Sequence, residues 1–407
     1  MGHDRLAEIL TENLSELDRK GLRKQAEKVI CGIKPAENGR GPRCHLAGYG
    51  RREFIRMNSN SYLGLSLHPK VVKAEEEAAR AFGTGPGAVR FISGTYTTHL
   101  QLEKQLAEFH GRTAAMLFSA AYAAVMGIIP SLISDETIVV SDALNHNSII
   151  NGIRLAKPAC KLIYRHLDMA DLEEKLQGCT GQGNRVLVVT DGIFSMRGDA
   201  APLGELTRLC RKYEDRFVEG IITVVDDSHG VGAFGPTGRG VEEYAEARAD
   251  ILVATLGKAL GVNGGYVVAD SRVIAYLRET SPFYVYSNPI TPSEAAAAGA
   301  ALAVLESFEG TKLLAGMRSL TGRFRNGLRR LGYEVLGRDH PIVPLMIRDS
   351  VRTADLVDYL FEHNILATGL NYPVVPEGDE EIRFQIAADH TEWDIDYVLE
   401  ILSEFAG

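Results

Sequence analysis

The chain has 407 residues, of which 45% are hydrophobic and 24% are charged, and its formal net charge at pH 7 is −9. This length fits two domains of ordinary size, and the composition is typical of a soluble globular enzyme. The acidic balance argues against a uniformly basic face, so nucleic acid is not an expected partner.

The five cysteines form no pattern that indicates a disulfide framework or a metal site. Their number is odd, their spacings are wide and no Cys-x-x-Cys occurs; they are Cys31, Cys44, Cys160, Cys179 and Cys210. This usage is typical of a reducing compartment. We therefore expect a cytoplasmic protein without a bound metal.

Residues 1–55 predict an N-terminal helix followed by an irregular arm rich in Gly, Pro and Arg. The predicted helix covers residues 1–20. One of its faces is apolar, and it consists of Leu6, Ile9, Leu10, Leu14 and Leu17. The segment is charged and lacks the apolar centre of a signal peptide.

Residues 56–288 predict a large domain, because short β-branched runs alternate there with helical patterns. The runs are residues 137–140, 186–190, 221–225, 251–254 and 265–269. Strands of this kind, each followed by a loop and a helix, indicate an α/β fold with a mostly parallel sheet covered on both faces. In such sheets, ligands bind where loops leave the carboxyl ends of the strands.

The uncharged stretch 113–134 is long enough for a membrane helix, but it mixes Ala, Gly and Ser with Pro130. A buried strand-to-helix unit explains it better, so no membrane partner is expected. Pro289 and Pro292 mark a boundary, and a helix is predicted after it, from about Ser293 to Phe308. Residues 289–407, with the N-terminal arm, predict a smaller α+β domain.

Polar residues follow three of the predicted strands. Ser195 follows the run 186–190, Asp226 and His229 follow the run 221–225, and Lys258 follows the run 251–254. Each alone has a structural interpretation, since a strand-end Asp is often only a turn former. Together they fit an enzyme of pyridoxal 5'-phosphate (PLP). Lys258 would supply the Schiff-base amine, Asp226 would face the pyridinium nitrogen, and Thr255 would bind the phosphate.

Ten short stretches, in this order, resemble the α-oxoamine synthases, which are PLP enzymes of fold type I. The likeness covers residues 57–395. The stretches are Asn60-Ser-Tyr-Leu-Gly-Leu65, Gly83-Thr-Gly-Pro-Gly-Ala-Val-Arg90, Ser93-Gly-Thr95 with His99, Ser141-Asp-Ala-Leu-Asn-His-Asn-Ser-Ile-Ile150, Thr190-Asp-Gly-Ile-Phe-Ser-Met196, Asp226-Asp-Ser-His229, Gly238-Arg-Gly240, Thr255-Leu-Gly-Lys-Ala-Leu-Gly261, Tyr372-Pro-Val-Val-Pro376 and Ile382-Arg383. Within the family, the sequences of these motifs are most similar to those of the 2-amino-3-ketobutyrate CoA ligases (glycine C-acetyltransferases).

The resemblance implies a role for each residue around the cofactor ring. His146 would stack on the ring, and Asp226 would pair with its nitrogen. Ser195 and His229 would face the phenolic oxygen, and His229 would also polarise the thioester carbonyl. Lys258 would hold the cofactor and, once freed, act as a base.

The resemblance also implies where the phosphate and the amino acid bind. Ala121 and Tyr122 would offer backbone amides to the phosphate, beside Thr255. Two further residues would reach the phosphate of the neighbouring subunit in a homodimer with a shared active site, and two would hold the substrate carboxylate. The first pair is Ser287 and Asn288, and the second is Asn60 and Arg383.

The implied reaction is a Claisen-type condensation of a small amino acid, most simply glycine, with an acyl thioester. Some of the residues also have structural interpretations: His146 as a helix cap, Asn60 as a turn former, and Arg383 in an ion pair. Two other classes stay open. One is a different fold type I enzyme, such as an aldolase or an aminotransferase, and the other is a silent subunit, against which Lys258 argues.

The chain departs from the ligase pattern in three places. The phosphate loop reads Ala121-Tyr-Ala-Ala-Val125, without the usual polar pair, and the loop Gly261-Val-Asn-Gly-Gly265 is one residue shorter. The arm at residues 31–56 has additional Gly, Pro and Arg. The acyl donor is therefore left open between an acetyl-CoA-like thioester and a longer acyl-CoA or acyl-carrier-protein donor, whose product would lose carbon dioxide.

Overall fold

The structure is a computed structural model that describes residues 2–20, 27–337, 339–372 and 374–406. Residues 21–26 of the predicted arm, Pro373 of the Tyr372–Pro376 motif, and the terminal Met1 and Gly407 lie outside the described residues. Among the described residues of the N-terminal part there are one helix and three short strands: α1 (Gly2–Arg19), β1 (Ile30–Lys34), β2 (Arg43–Leu46) and β3 (Ile55–Arg56).

A seven-stranded sheet forms the centre of the molecule, in the order β4-β10-β9-β8-β7-β5-β6. Five neighbouring strands, β5 to β9, are parallel, and β10 runs antiparallel to β9 and β4. The strands are β4 (Ala114–Phe118), β5 (Thr137–Asp142), β6 (Cys160–Tyr164), β7 (Arg185–Asp191), β8 (Ile221–Asp226), β9 (Ile251–Thr255) and β10 (Gly265–Ala269). The predicted mostly parallel sheet is confirmed, and all five predicted runs are strands of it.

Helices cover both faces of this sheet. Alternate residues of one strand enter opposite cores: Leu252 and Ala254 join one apolar cluster, and Val253 joins the other. The helices are α2 (Pro69–Phe82), α3 (Thr97–Phe109), α4 (Ala121–Leu132), α5 (Asn147–Ala156), α6 (Met169–Gly178), α7 (Leu203–Tyr213), α8 (Val241–Tyr244), α9 (Ser271–Thr280) and α10 (Pro282–Val285).

The uncharged stretch 113–134 forms β4 and α4, as predicted. Its apolar side chains lie inside the large domain, where Val125, Ile128 and Ile129 pack beneath the sheet. Across the described part of the chain, no helix combines the length and the apolar character that a membrane crossing requires.

The C-terminal part contains a four-stranded antiparallel sheet in the order β11-β12-β15-β14, and β13 pairs in parallel with β3 of the N-terminal arm. Its elements are α11 (Pro292–Leu305), α12 (Phe308–Arg330), β11 (Glu334–Val335), β12 (Ile342–Met346), α13 (Ser350–Glu362), β13 (Ile365–Leu366), β14 (Thr368–Leu370), β15 (Glu381–Gln385) and α14 (Glu392–Ala406).

The helix predicted from Ser293 to Phe308 is α11, which ends at Leu305, and α12 begins at Phe308. α11 packs against α2 and α3 and shares their core, through Ala298 and Ala301. The division of the chain at residue 289 stays a prediction, since this helix packs on helices α2 and α3 of the predicted large domain although it follows the boundary.

Candidate active site

The carboxyl ends of β7, β8 and β9 meet at one edge of the sheet, as parallel strands require. Asp191 at the end of β7 is paired in register with Asp226 at the end of β8. A cavity of about 210 Å³ opens at this edge. Its lining residues are Ala120, Ala121, Tyr122, His146, Ser148, Asp191, Ile193, Ser195, Asp226, Ser228, His229, Thr255 and Lys258. Eight of the twelve residues predicted for the site therefore share one cavity.

Lys258 lies in the loop after β9, and this loop is closed by its own backbone. Leu256 donates to the Gly264 carbonyl at 2.9 Å, and Gly261 donates to the Lys258 carbonyl at 3.0 Å. Burial lowers the pKa of Lys258 to about 8, although the Asp226 and Asp191 carboxylates oppose this shift. The amine is therefore partly neutral near pH 7, as a Schiff-base lysine must be.

His146 begins α5 and combines a structural role with a place in the cavity. Its Nδ1 accepts from the Ser148 amide at 3.3 Å, so it does cap the helix. Its own backbone amide donates to Asp191 Oδ2 at 3.0 Å. Burial lowers the pKa of His146, while Asp226 raises it. A neutral imidazole at this position can stack on an aromatic ring without bringing in a second cation.

Asp191 is a site residue that the sequence analysis missed, although it lies inside the Thr190–Met196 motif. It is buried, and burial together with the neighbouring Asp226 raises its pKa well above the usual value. Asp226 itself accepts from the Ser228 amide at 3.1 Å. Two neighbouring carboxyl groups therefore line the cavity, and one of them, on Asp191, fixes the backbone at His146.

His229 is held from two sides by residues from distant parts of the chain. The Tyr62 hydroxyl lies 2.8 Å from Nδ1 of His229, and His340 Nε2 lies 2.8 Å from the His229 carbonyl oxygen. Burial lowers the pKa of His229 well below its usual value, and the charge of Lys258 lowers it further. The ring is therefore neutral, and Nε2 stays available for the reacting groups. Tyr62 and His340 were both missed from the sequence.

The first turn of α4 offers backbone donors to the same cavity. The helix begins after Ala120, which provides no side-chain cap, and Ala121 and Tyr122 line the cavity. Backbone amides at a helix N-terminus bind anions such as phosphate. Gly265 at the start of β10 allows the first turn of α4 to lie close to the strand, because a Cβ at this position would overlap the backbone of Ala121. Thr255 lies beside this turn, and its hydroxyl donates to Gly264 at 3.0 Å.

These groups fit PLP by the chemistry of the donor set. The cavity contains a reactive amine, a carboxylate for a ring nitrogen, a neutral imidazole and an uncapped helix N-terminus for a dianionic phosphate. The Ser228 hydroxyl is also buried without a hydrogen-bond partner among the described residues. A bound polar group would satisfy it.

Four predicted site residues do not line this cavity. Arg383 Nη1 donates to the Ser195 carbonyl at 2.9 Å, which places the guanidinium at the cavity edge. Asn60 Oδ1 lies 3.4 Å from the Tyr62 hydroxyl. Ser287 is half-buried and Asn288 is exposed, so their predicted role toward a neighbouring subunit stays a prediction.

The sequence matches the family model "Aminotransferase class I and II" over residues 52–402. The mitochondrial 2-amino-3-ketobutyrate coenzyme A ligase of Bos taurus is 40% identical over 97% of this chain and 91% of that protein. The 8-amino-7-oxononanoate synthase of Exiguobacterium sibiricum is 39% identical over 87% of this chain and 88% of that protein.

Solved structures give the same grouping. The serine palmitoyltransferase of Sphingomonas wittichii superposes with a TM-score of 0.87 at 28% identity, over 98% of this chain and 97% of that one. A structure of SPT with PLP gives a TM-score of 0.85 at 27% identity, over 99% and 97%. The chain belongs to the class I and II aminotransferase family, with fold type I.

Within that family, the chain is a PLP-dependent enzyme of the α-oxoamine synthase group. The predicted resemblance, fold, enzyme class and cofactor are thus confirmed. The roles of the individual site residues stay predictions.

Proposed function

We propose that the chain condenses a small amino acid, glycine, with the acyl group of a coenzyme A thioester. The α C–H bond of the amino acid breaks, a C–C bond forms to the thioester carbonyl carbon, and the C–S bond breaks to release the thiol. The product is a β-keto amino acid, or an α-amino ketone if carbon dioxide is lost. The observation that carries this proposal is the Lys258 amine, of lowered pKa, in one cavity with Asp226 and His146.

PLP, when bound, supplies an electron sink for the α-carbon of the amino acid. Lys258 binds it and then takes the α-proton on Nζ, for which a pKa of about 8 is well matched to neutral pH. Asp226 carries the negative charge that keeps the ring nitrogen protonated. Such a general base contributes about 10²–10⁴-fold to the rate.

Arg383 and Asn60 orient the amino acid at the cavity edge. The guanidinium is planar and always charged, so it binds a carboxylate through two parallel hydrogen bonds. Arg383 is fixed beside Ser195 through the backbone carbonyl of that residue. The cavity of about 210 Å³ must hold the cofactor as well, which restricts the amino acid to a small side chain.

His229 is the group that faces the thioester carbonyl in this proposal. Its neutral ring accepts from the Tyr62 hydroxyl at Nδ1 and so donates through Nε2–H as the carbonyl oxygen gains negative charge. One relative of this chain is named a 2-amino-3-ketobutyrate coenzyme A ligase. This supports a coenzyme A thioester as the donor.

A longer acyl donor, from coenzyme A or an acyl-carrier protein and with loss of carbon dioxide, is the second candidate. It is favoured by the 39% identity to an 8-amino-7-oxononanoate synthase and by the likeness to serine palmitoyltransferase. A thioester-independent reaction, as in an aldolase or an aminotransferase, is the third. The broad family model alone supports it.

We also propose that the enzyme is a cytoplasmic homodimer in which Ser287 and Asn288 complete the partner's phosphate site. Two large apolar side chains close in sequence to predicted site residues are open to solvent in the single chain: Tyr286 (80% exposed), next to Ser287, and Leu144 (47% exposed), two residues before His146. A second copy would cover them. Analytical ultracentrifugation of the holoenzyme tests the dimer, with a sedimenting mass of one chain as the contradicting result.

The test of the function is thiol release by the PLP-loaded enzyme with glycine, alanine or serine and an acyl-CoA. We expect free thiol in equal amount to the amino acid consumed, and at least about 10²-fold less from Lys258→Ala. Lys161→Ala, which removes an exposed lysine on β6, is the matched control and keeps full activity. Consumption of the amino acid without thioester and without thiol would instead support the third candidate.

A further inference from the structure

A second cavity, of about 350 Å³, begins where the candidate active site ends. Ser195 lines both cavities. The second cavity is also lined by residues 143–145, which precede His146, and by residues 194–197, which include Ser195. Its lining residues are Ala143, Leu144, Asn145, Phe194, Ser195, Met196, Arg197, Leu336, Met346, Val374, Val375, Pro376, Asp379 and Glu381.

The inner wall of this cavity is apolar. Phe194, Met346 and Val375 are buried, and Met196 and Leu336 are half-buried beside them. These side chains come from the Ser195 loop, from β12 with the segment before it, and from the loop before β15. Water in such a cavity gains few hydrogen bonds, so an apolar occupant is favoured there.

The charged groups of the lining favour an uncharged occupant. Arg197 lies at the more exposed end and faces two carboxylates, Asp199 at 3.2 Å and Asp379 at 4.0 Å. Glu381 is 2% exposed, and its Oε1 has no hydrogen-bond partner among the described residues. Burial raises the pKa of Glu381 to about 8. At neutral pH the Glu381 carboxyl is therefore mostly protonated, and the one guanidinium among the lining residues, on Arg197, already faces Asp199 and Asp379. A terminal carboxylate would find no unpaired cation among these lining residues.

We propose that this cavity binds the acyl chain of the thioester donor, and that the donor carries an unbranched, uncharged chain of medium length. The inference rests on the proposed function and chooses between its donors: it favours a longer acyl-CoA, the second candidate there, over an acetyl-CoA-like thioester. At ~30 Å³ for each group the size of a water molecule, the cavity holds about ten such groups. An acetyl methyl would leave most of the apolar wall uncovered.

The expected signature is a dependence of kcat/KM on chain length. Each methylene buried contributes about 0.8 kcal/mol, which corresponds to about fourfold in kcat/KM. We expect kcat/KM to rise from acetyl-CoA to octanoyl-CoA and then to level off or fall by palmitoyl-CoA, when the cavity is full. A six-methylene difference predicts an increase of at least about 10²-fold, allowing for incomplete burial.

The experiment measures thiol release by the holoenzyme at saturating amino acid with acetyl-, butanoyl-, hexanoyl-, octanoyl-, decanoyl- and palmitoyl-CoA. Pimeloyl-CoA, which ends in a carboxylate, is the charged comparison, and we expect its kcat/KM to lie at least about tenfold below that of octanoyl-CoA. A flat or falling profile after acetyl-CoA, or a preference for pimeloyl-CoA, overturns the inference and leaves the proposed function standing. Absence of thiol from every thioester overturns both.

A filled-cavity variant assigns the effect to these residues. Leu336→Trp should lower the octanoyl-to-acetyl ratio of kcat/KM by about tenfold or more, while Val218→Trp, at a position that is 89% exposed, should leave the ratio unchanged. Calorimetric binding of S-octyl-CoA and S-ethyl-CoA thioethers, which cannot turn over, gives an independent readout. Equal affinity for the two thioethers, or a ratio that Leu336→Trp does not change, contradicts the assignment of this cavity.

Discussion

The Tyr62 hydroxyl lies 2.8 Å from Nδ1 of His229, and both groups are buried. Burial raises the pKa of Tyr62 and lowers that of His229, so a neutral phenol meets a neutral imidazole. Because this hydrogen bond occupies Nδ1, it selects which ring nitrogen of His229 can face the substrate. Tyr62, which lies 167 positions before His229 in the chain, thus fixes the orientation of the His229 ring.

Tyr62→Phe removes this hydrogen bond and keeps the ring. We expect kcat to fall about 3- to 10-fold with little change in KM for either substrate, since one net hydrogen bond contributes about 0.5–1.5 kcal/mol. Tyr266→Phe is the matched control. The Tyr266 hydroxyl makes a similar hydrogen bond, 2.9 Å from His110 Nε2, and neither residue lines the cavity. An equal loss of kcat in both variants would mean that the Tyr62 effect is only structural.

Asp191 is expected to act as an acceptor for the His146 amide more than as a charge. Its pKa is raised, so the neutral amide of Asp191→Asn should replace it with less than about threefold loss of PLP affinity. Asp191→Ala removes the acceptor and should weaken PLP binding about 5- to 100-fold, from about 1–3 kcal/mol. Equilibrium dialysis with PLP measures both, and an Asn variant as weak as the Ala variant contradicts the expectation.

The amine of Lys258 should titrate at lower pH than an ordinary lysine. With a pKa of about 8, about 10% of the amine is neutral at pH 7, and the neutral form is the one that reacts with the aldehyde of PLP. The rate of PLP uptake by the apoenzyme should rise as the pH is raised and level off above about pH 8. A rate that continues to rise tenfold per pH unit up to pH 10 would contradict this.

A substitution at Gly265 tests the contact between β10 and the first turn of α4. Gly265→Ala should weaken PLP binding and lower the melting temperature, because its Cβ would displace the backbone of Ala121 that faces the phosphate. Gly316→Ala in α12 is the control. Nothing lies within 4 Å of a Cβ there, so about 0.5–1 kcal/mol of added stability is expected. Unchanged PLP affinity in Gly265→Ala would remove α4 from the phosphate site.

Arg383→Lys separates charge from geometry at the substrate carboxylate. We expect KM for the amino acid to rise about 10- to 100-fold with a smaller change in kcat, since a lysine keeps the charge and loses the paired hydrogen bonds. Arg348→Lys, at an exposed arginine paired with Glu334, is the control. An unchanged KM for the amino acid in Arg383→Lys would mean that the paired hydrogen bonds of Arg383 do not hold the substrate carboxylate.

Much of this organisation could be predicted from the sequence because it is local. The β-branched runs at 186–190 and 251–254 predict buried strands, and the polar residues that follow them must meet at the carboxyl edge. Lys258 and Asp226 were found in this way. The likeness to α-oxoamine synthases then added His146 and Arg383.

The rest depends on contacts that no local pattern encodes. Tyr62 looks like a core tyrosine until the fold brings it to His229, and His340 reaches the same residue from the C-terminal part. Asp191 sits beside Asp226 only because β7 and β8 are neighbours in register. The apolar face of α1 was predicted, yet Leu10 is 50% exposed and the single chain leaves that face uncovered.

The site of covalent attachment of PLP tests the assignment of Lys258 most directly. Borohydride reduction of the holoenzyme, followed by peptide mass spectrometry, should place the pyridoxyl group on Lys258 and on no other lysine. Lys258→Ala protein treated in the same way should carry no label. A labelled peptide that lacks Lys258, or a Lys258→Ala protein labelled as fully as the parent enzyme, would contradict the central claim.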